Sequence, residues 1–203
     1  MFDKVIDEIV ENNIWRNGEF AKFKINSNQV DEVLWCRMCI PMIYAHWEGF
    51  VVSSMKTLIS YLNSLNLKAE HVPTKIIVLS LGSAYQSLSG KQSFTQRIEF
   101  TDKFNNLISD TIKIEKKINT KSNLKSNVFE EVCTIWGFNY TKFNNVLPDI
   151  DRLVNIRNSI AHGENGILPN MDNIRKYIEA VNNACDLILE EIECFIKNEE
   201  YKK

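Results

Sequence analysis

Between Val30 and Leu65 the apolar residues Ile40, Ile43, Tyr44, Trp47, Phe50, Val51, Met55, Leu58, Leu62 and Leu65 fall on one broad stripe at helical spacing. A stripe of that length commits the chain to a long helix and requires other helices to cover it. Seven glycines and four prolines in 203 residues leave few natural breaks, so the reading is an all-α bundle with long core helices. With 44% apolar residues the chain can bury one substantial core, and a single domain over residues 1–203 is expected.

The remaining pattern divides as follows. A short amphipathic helix covers 2–14 and "RNGEF" breaks it, and the core bundle runs from about 30 to 198. Pro41, inside the long stripe, removes a backbone donor and predicts a bend or a junction between two helices. Residues 66–73 read as a polar connection. The run "TKIIVLSLGSAYQSLSG" fits a strand or a buried helix, and helix is preferred for want of a partner strand. Apolar residues from Phe94 to Ile114 predict a helix over 94–118. A short helix in "NVFEEVCTIWGF", a motif helix from about 144 to 162 and a last helix from Met171 to about Lys197 complete the chain.

A formal charge of -2 and a pI near 6.0 argue against a protein held to nucleic acid by bulk electrostatics. One segment departs from this. Lys113, Lys116, Lys117, Lys121 and Lys125 stand against the single acid Glu115, either as a solvated loop or as a local surface for an RNA backbone. Five cysteines, an odd number, and an N-terminus without an apolar signal-peptide core predict a reducing, cytoplasmic setting. No run approaches the roughly 18 apolar residues of a membrane span. "WCRMC" lacks a second Cys pair or a suitably spaced His, so Cys36 and Cys39 read as small helix residues rather than zinc ligands. With no phosphate-binding loop or dinucleotide-binding glycine pattern, no cofactor or metal is called for. His46 is expected on the polar face of the long helix and His71 in a connecting loop.

The stretch "DRLVNIRNSIAHGENG" contains the anomaly. At 100° per residue, Leu147, Ile150, Leu153, Val154, Ile160 and Ala161 share one sector, and Arg157 falls in its middle. A guanidinium keeps its charge, so there it must snorkel to solvent, pair with a carboxylate, or meet an anion in a cleft. Asn158 and His162 are i,i+4 neighbours. Arg157 and His162 diverge by about 140°, so a shared site needs a loosened last turn, the reach of Arg157, or a cleft that both enter. His162 can equally serve as an ordinary cap of the helix end.

"RNSIAHG" on a late helix resembles the signature of the HEPN superfamily, an Arg followed by a polar residue with a His four to six positions on. Arg157, Asn158 and His162 match it residue by residue. "YAHWEGFV" on the early long helix resembles the corresponding helix of the RiboL-PSP and MAE_28990-like HEPN group, and the likeness spans about residues 30–195. The resemblance implies a helical bundle that forms a homodimer, bringing two motifs into one composite, metal-independent endoribonuclease site. It also implies a role as a toxin or antiphage-defence module with an antitoxin or defence-system partner protein. Some HEPN toxins carry a modifiable tyrosine two residues after the His, where this chain has Glu164.

RNA is cleaved through its own 2′-OH when a base takes that proton, an acid protonates the leaving 5′-oxygen, and a cation steadies the added charge. The products are a 2′,3′-cyclic phosphate and a 5′-hydroxyl. His162 suits the first two tasks and Arg157 the third, with Asn158 orienting either the imidazole or the phosphate. Glu48, at the edge of the long stripe, is expected to pair with Arg157. The competing expectation is a non-catalytic HEPN-like module that binds a nucleotide or a protein.

Overall fold

The computed structural model describes residues 2–82 and 92–203. Among them the chain forms α1 (Phe2–Ile25), α2 (Glu32–Ser64), α3 (Thr74–Leu81), α4 (Phe94–Ser109), α5 (Ser126–Trp136), α6 (Leu147–Ala161) and α7 (Met171–Lys197), with no β-strand. The chain is all-α, as the spacing predicts.

α2 is the spine. It starts where the Asp31 carboxylate accepts the Leu34 N–H at 2.9 Å, and it runs through Pro41 without interruption. Pro41 marks no junction, because Cys39, Ile40, Ile43 and Tyr44 around it are all buried and hold the turn by packing. Ile43, Trp47, Val51, Met55 and Leu58 form the centre of the core, and α2 packs against α7, α1 and α6. α7 begins behind a reciprocal Asn170–Asn173 cap and ends at Lys197, the bounds the sequence predicts.

Three expectations need correction. α1 does not stop at residue 14 but continues to Ile25. Gly18 costs a helix only about 1 kcal/mol, and the burial of Val5, Ile9, Asn13 and Phe20 against the rest of the bundle outweighs it. His46 is consequently not on a solvated face: α1 covers it and leaves it 2% exposed. The helix expected over 94–118 ends at Ser109, and residues 110–125 cross the bundle as irregular backbone. Phe94 and Ile98 of α4 stay exposed. Residues 74–81 are the preferred helix, while 83–90 of that stretch lie outside the described residues.

The irregular segment is held largely by side chains of α2, with the Ile112 N–H on the Leu67 carbonyl at 2.8 Å. Asn63 clamps Ile114, its Oδ1 accepting the Ile114 N–H at 2.8 Å and its Nδ2 donating to the Ile114 carbonyl at 2.9 Å. Trp47 Nε1 donates to the Leu124 carbonyl at 3.0 Å, and the Tyr44 hydroxyl accepts the Leu124 N–H at 3.0 Å. These bonds bring residues 120–125 against α6.

Candidate functional site

α6 buries Leu147, Ile150, Leu153 and Val154, then carries Arg157 and Asn158 toward its C-terminal end. It stops in a two-bond left-handed cap. Gly163 takes φ 79°, which lets its N–H reach the Ile160 carbonyl and the Glu164 N–H reach the Ser159 carbonyl, both at 3.0 Å. Gly163 is therefore helix punctuation. His162 occupies the capping position, its backbone N–H on the Asn158 carbonyl at 2.9 Å. Its imidazole is exposed and has no side-chain partner among the described residues.

Arg157 is half-buried and lies over the Tyr44 ring, its guanidinium carbon 4.4 Å from the ring centroid. Its Nη1 donates to Asn158 Oδ1 at 2.8 Å, and Asn158 Nδ2 donates to Asn123 Oδ1 at 3.0 Å. Among the described residues it has no carboxylate within ion-pair distance. The aromatic face supplies the attraction that a guanidinium on an apolar sector needs, without neutralising its charge. The expected Glu48–Arg157 pair does not form. Glu48 Oε1 instead accepts from Thr120 Oγ1 at 2.5 Å. Tyr44 sits one turn before Glu48 on the same edge of α2, so its ring takes the position assigned to the carboxylate. Burial pushes the Tyr44 phenol up to about 12, with the neighbouring Glu48 adding to the rise.

A family model for RiboL-PSP-HEPN proteins matches residues 11–194, from within α1 to the last turn of α7. This chain belongs to that family. Neither the comparison with curated proteins nor that with solved structures returned a match. As a HEPN member the chain is a nuclease-type or RNA-related module, and the match takes in the part of α1 beyond residue 14 that the sequence had left outside the bundle.

Around Arg157 and His162, the five lysines of the basic segment separate. Lys121 pairs with Glu131 at 2.5 Å, and Lys125 Nζ donates to Asn155 Oδ1 on α6 at 2.5 Å. Lys113, Lys116 and Lys117 are exposed, with no ion pair among the described residues. Between these groups the backbone turns sharply at 120–123, where Lys121 and Ser122 both take left-handed conformations at φ 54° and 51°. The Asn123 N–H closes this turn on the Thr120 carbonyl at 3.1 Å. Its two ends, Thr120 and Asn123, are the residues that bond Glu48 and Asn158.

Sequence reasoning missed three members of this candidate site. Tyr44 was counted as core, although an aromatic one turn before an acid on the motif-facing helix was a usable signal. Thr120 and Asn123 gave none, because only the turn brings them in. Arg37, within "WCRMC", also went unread. Its Nη2 donates to the Glu164 carbonyl at 2.8 Å and its Nη1 to the Ile167 carbonyl at 3.1 Å, tying the loop after His162 to α2. Cys36 and Cys39 are buried thiols, pushed up to about 11 and about 12 by that burial. No helix among the described residues is long and apolar enough to cross a membrane.

Proposed function

We propose that this chain is a metal-independent endoribonuclease that cleaves RNA by attack of its own 2′-OH, acting as a toxin or antiphage-defence module. The observation that carries this reading is Arg157: a half-buried guanidinium with no carboxylate partner among the described residues, braced on Tyr44 and Asn158 in the last turns of the helix that ends at the exposed His162. A group so held has donors ready for the non-bridging oxygens of a scissile phosphate and loses little freedom in meeting them. His162 is the base or acid, Arg157 the charge stabiliser, and Asn158, Tyr44 and Glu48 are positioning residues.

One imidazole cannot serve as base and acid on opposite sides of one phosphate, so the active form is a homodimer whose two motifs share a cleft. The approximate 140° divergence of Arg157 and His162 suits a cleft between chains better than a patch on one helix. Leu34, Met38 and Met42, spaced four apart on α2, are 51%, 55% and 44% exposed. This apolar ribbon shares α2 with Arg37 and Tyr44, and it supports a surface for the second copy. Lys113, Lys116 and Lys117 are the proposed contacts to the RNA backbone, with Lys121 and Lys125 shaping the turn beside the motif.

The test is cleavage of single-stranded RNA in excess chelator by the wild type, Arg157→Ala and His162→Ala. Each substitution is expected to lower the rate by about 10² or more, with a 2′,3′-cyclic phosphate on the wild-type product. Equal rates in all three proteins refute the assignment.

A further inference from the structure

His46 lies two residues, about 200° of helical rotation, from Tyr44 and faces away from the motif. Its Nδ1 is 3.1 Å from Arg16 Nη1. A guanidinium only donates, so Nδ1 accepts and the imidazole proton sits on Nε2, which faces Glu19 Oε2 at 2.9 Å, close but poorly aligned. With Nδ1 on the guanidinium, His46 serves to aim Arg16. Arg16 Nε donates to Asn13 Oδ1 at 2.8 Å, and the guanidinium carbon lies 4.7 Å from the Trp15 ring centroid. Gly49 makes the room, since a Cβ there would come within 3.0 Å of Nη2.

The result is an arginine locked in one posture, with acceptors among the described residues for only two of its five N–H groups. Among the described residues no carboxylate lies within ion-pair distance of it, and burial pushes its pKa down. It borders a cavity of about 340 Å³ between α1, α2 and α7, at the small end of the range for organic ligands. Asn17 and Asn182 add amide groups, Phe20, Phe50 and Val181 form the apolar wall, and Asp186 stands exposed at the rim. A partly buried positive charge with no carboxylate in direct contact, and Glu19 acting on it only from beside His46, carries a desolvation cost that an incoming anion would relieve.

We propose that this cavity binds a compact organic anion, a carboxylate or phosphate monoester on an apolar body, with Arg16 receiving the head and Phe20, Phe50 and Val181 the body. This site is separate from the HEPN motif and does not depend on its catalysis.

The experiment titrates the full chain with phenylacetate, phenyl phosphate and, as the neutral probe, 2-phenylethanol, and follows backbone amide shifts by NMR. At least one anion is expected to bind tenfold or more tightly than the alcohol, and which one does so identifies the head group. The shifts should centre on residues 13–20, 46–50 and 181–186. Arg16→Gln should weaken binding at least tenfold. Asn182→Asp, which adds a carboxylate at the mouth without entering the core, should do the same, with thermal melts reporting that the variants fold. The proposal is overturned if neither anion outbinds the alcohol, if binding survives these substitutions, or if the shifts centre on Arg157 and His162.

Discussion

Replacing Tyr44 by Phe separates the two tasks of that side chain. The ring under Arg157 stays, while the hydroxyl that accepts the Leu124 N–H is lost. Leu124 is fully buried, so its N–H would be left without an acceptor, at a cost of about 1–3 kcal/mol. For a chain of this size that lowers Tm by about 2–4 °C per kcal/mol, and the urea midpoint should fall with an unchanged slope. Because the guanidinium keeps its support, RNA cleavage below the melting range should stay within about threefold of wild type. Tyr44→Leu also removes the ring and with it about 0.5–2 kcal/mol of cation–π attraction, so its cleavage should fall toward that of Arg157→Ala. A wild-type Tm in Tyr44→Phe would refute the hydroxyl's role toward Leu124. Equal losses of cleavage in the Phe and Leu variants would refute the ring's role toward Arg157.

Ser122→Gly should stabilise the chain by about 0.5–1 kcal/mol, because relief of a left-handed non-glycine residue exceeds the added freedom of the unfolded glycine; a lower Tm in the variant would contradict the turn at 120–123. Changing Lys113, Lys116 and Lys117 together to Gln should reduce the slope of log affinity for single-stranded RNA against log salt by about 2, whereas Lys121→Gln, already paired with Glu131, should barely move it. An unchanged slope in the triple variant would return those lysines to solvent. His46 is held below its ordinary pKa of 6.5, chiefly by burial and then by Arg16, with Glu19 opposing; Asp186 and Cys185 of α7 line the same cavity. Its stabilising contribution is therefore complete above the unfolded value and lost as pH falls through about 6.5 toward the folded one, with a slope of at most about 1.4 kcal/mol per pH unit. Urea titrations between pH 7.5 and 5 should show this loss, and His46→Gln should flatten it.

The helices with a strong one-sided apolar pattern were legible. α7 matched its expected bounds, and α2 differed from them by a residue or two, because burial of a regular face decides such elements. α1 was cut short because Gly18 was weighed as a breaker, although tertiary packing overrides one glycine. The same error misplaced His46, whose cover is the half of α1 that had been removed. Ile112 and Ile114 looked helical by spacing but are buried from irregular backbone, a state that periodicity cannot express. In the candidate site, Arg157, Asn158 and His162 stood out because their order along one helix is local information. The partner of Arg157 did not, since Tyr44 and Glu48 share an edge of α2 and only the three-dimensional packing selects the ring over the carboxylate.

Because α2 is unbroken from Glu32 to Ser64, Arg37, Tyr44, Glu48 and Gly49 are locked in angular phase with one another. One residue inserted between Arg37 and Tyr44 would turn everything on one side of it by about 100° relative to the other. Arg37 could then hold the Glu164 and Ile167 carbonyls, or Tyr44 could lie under Arg157, but not both. An insertion of seven residues, close to two full turns, would come within about 20° of restoring the phase, at the expense of about 10 Å of added length. The middle of α2 thus tolerates exchange of side chains far better than any change in their number.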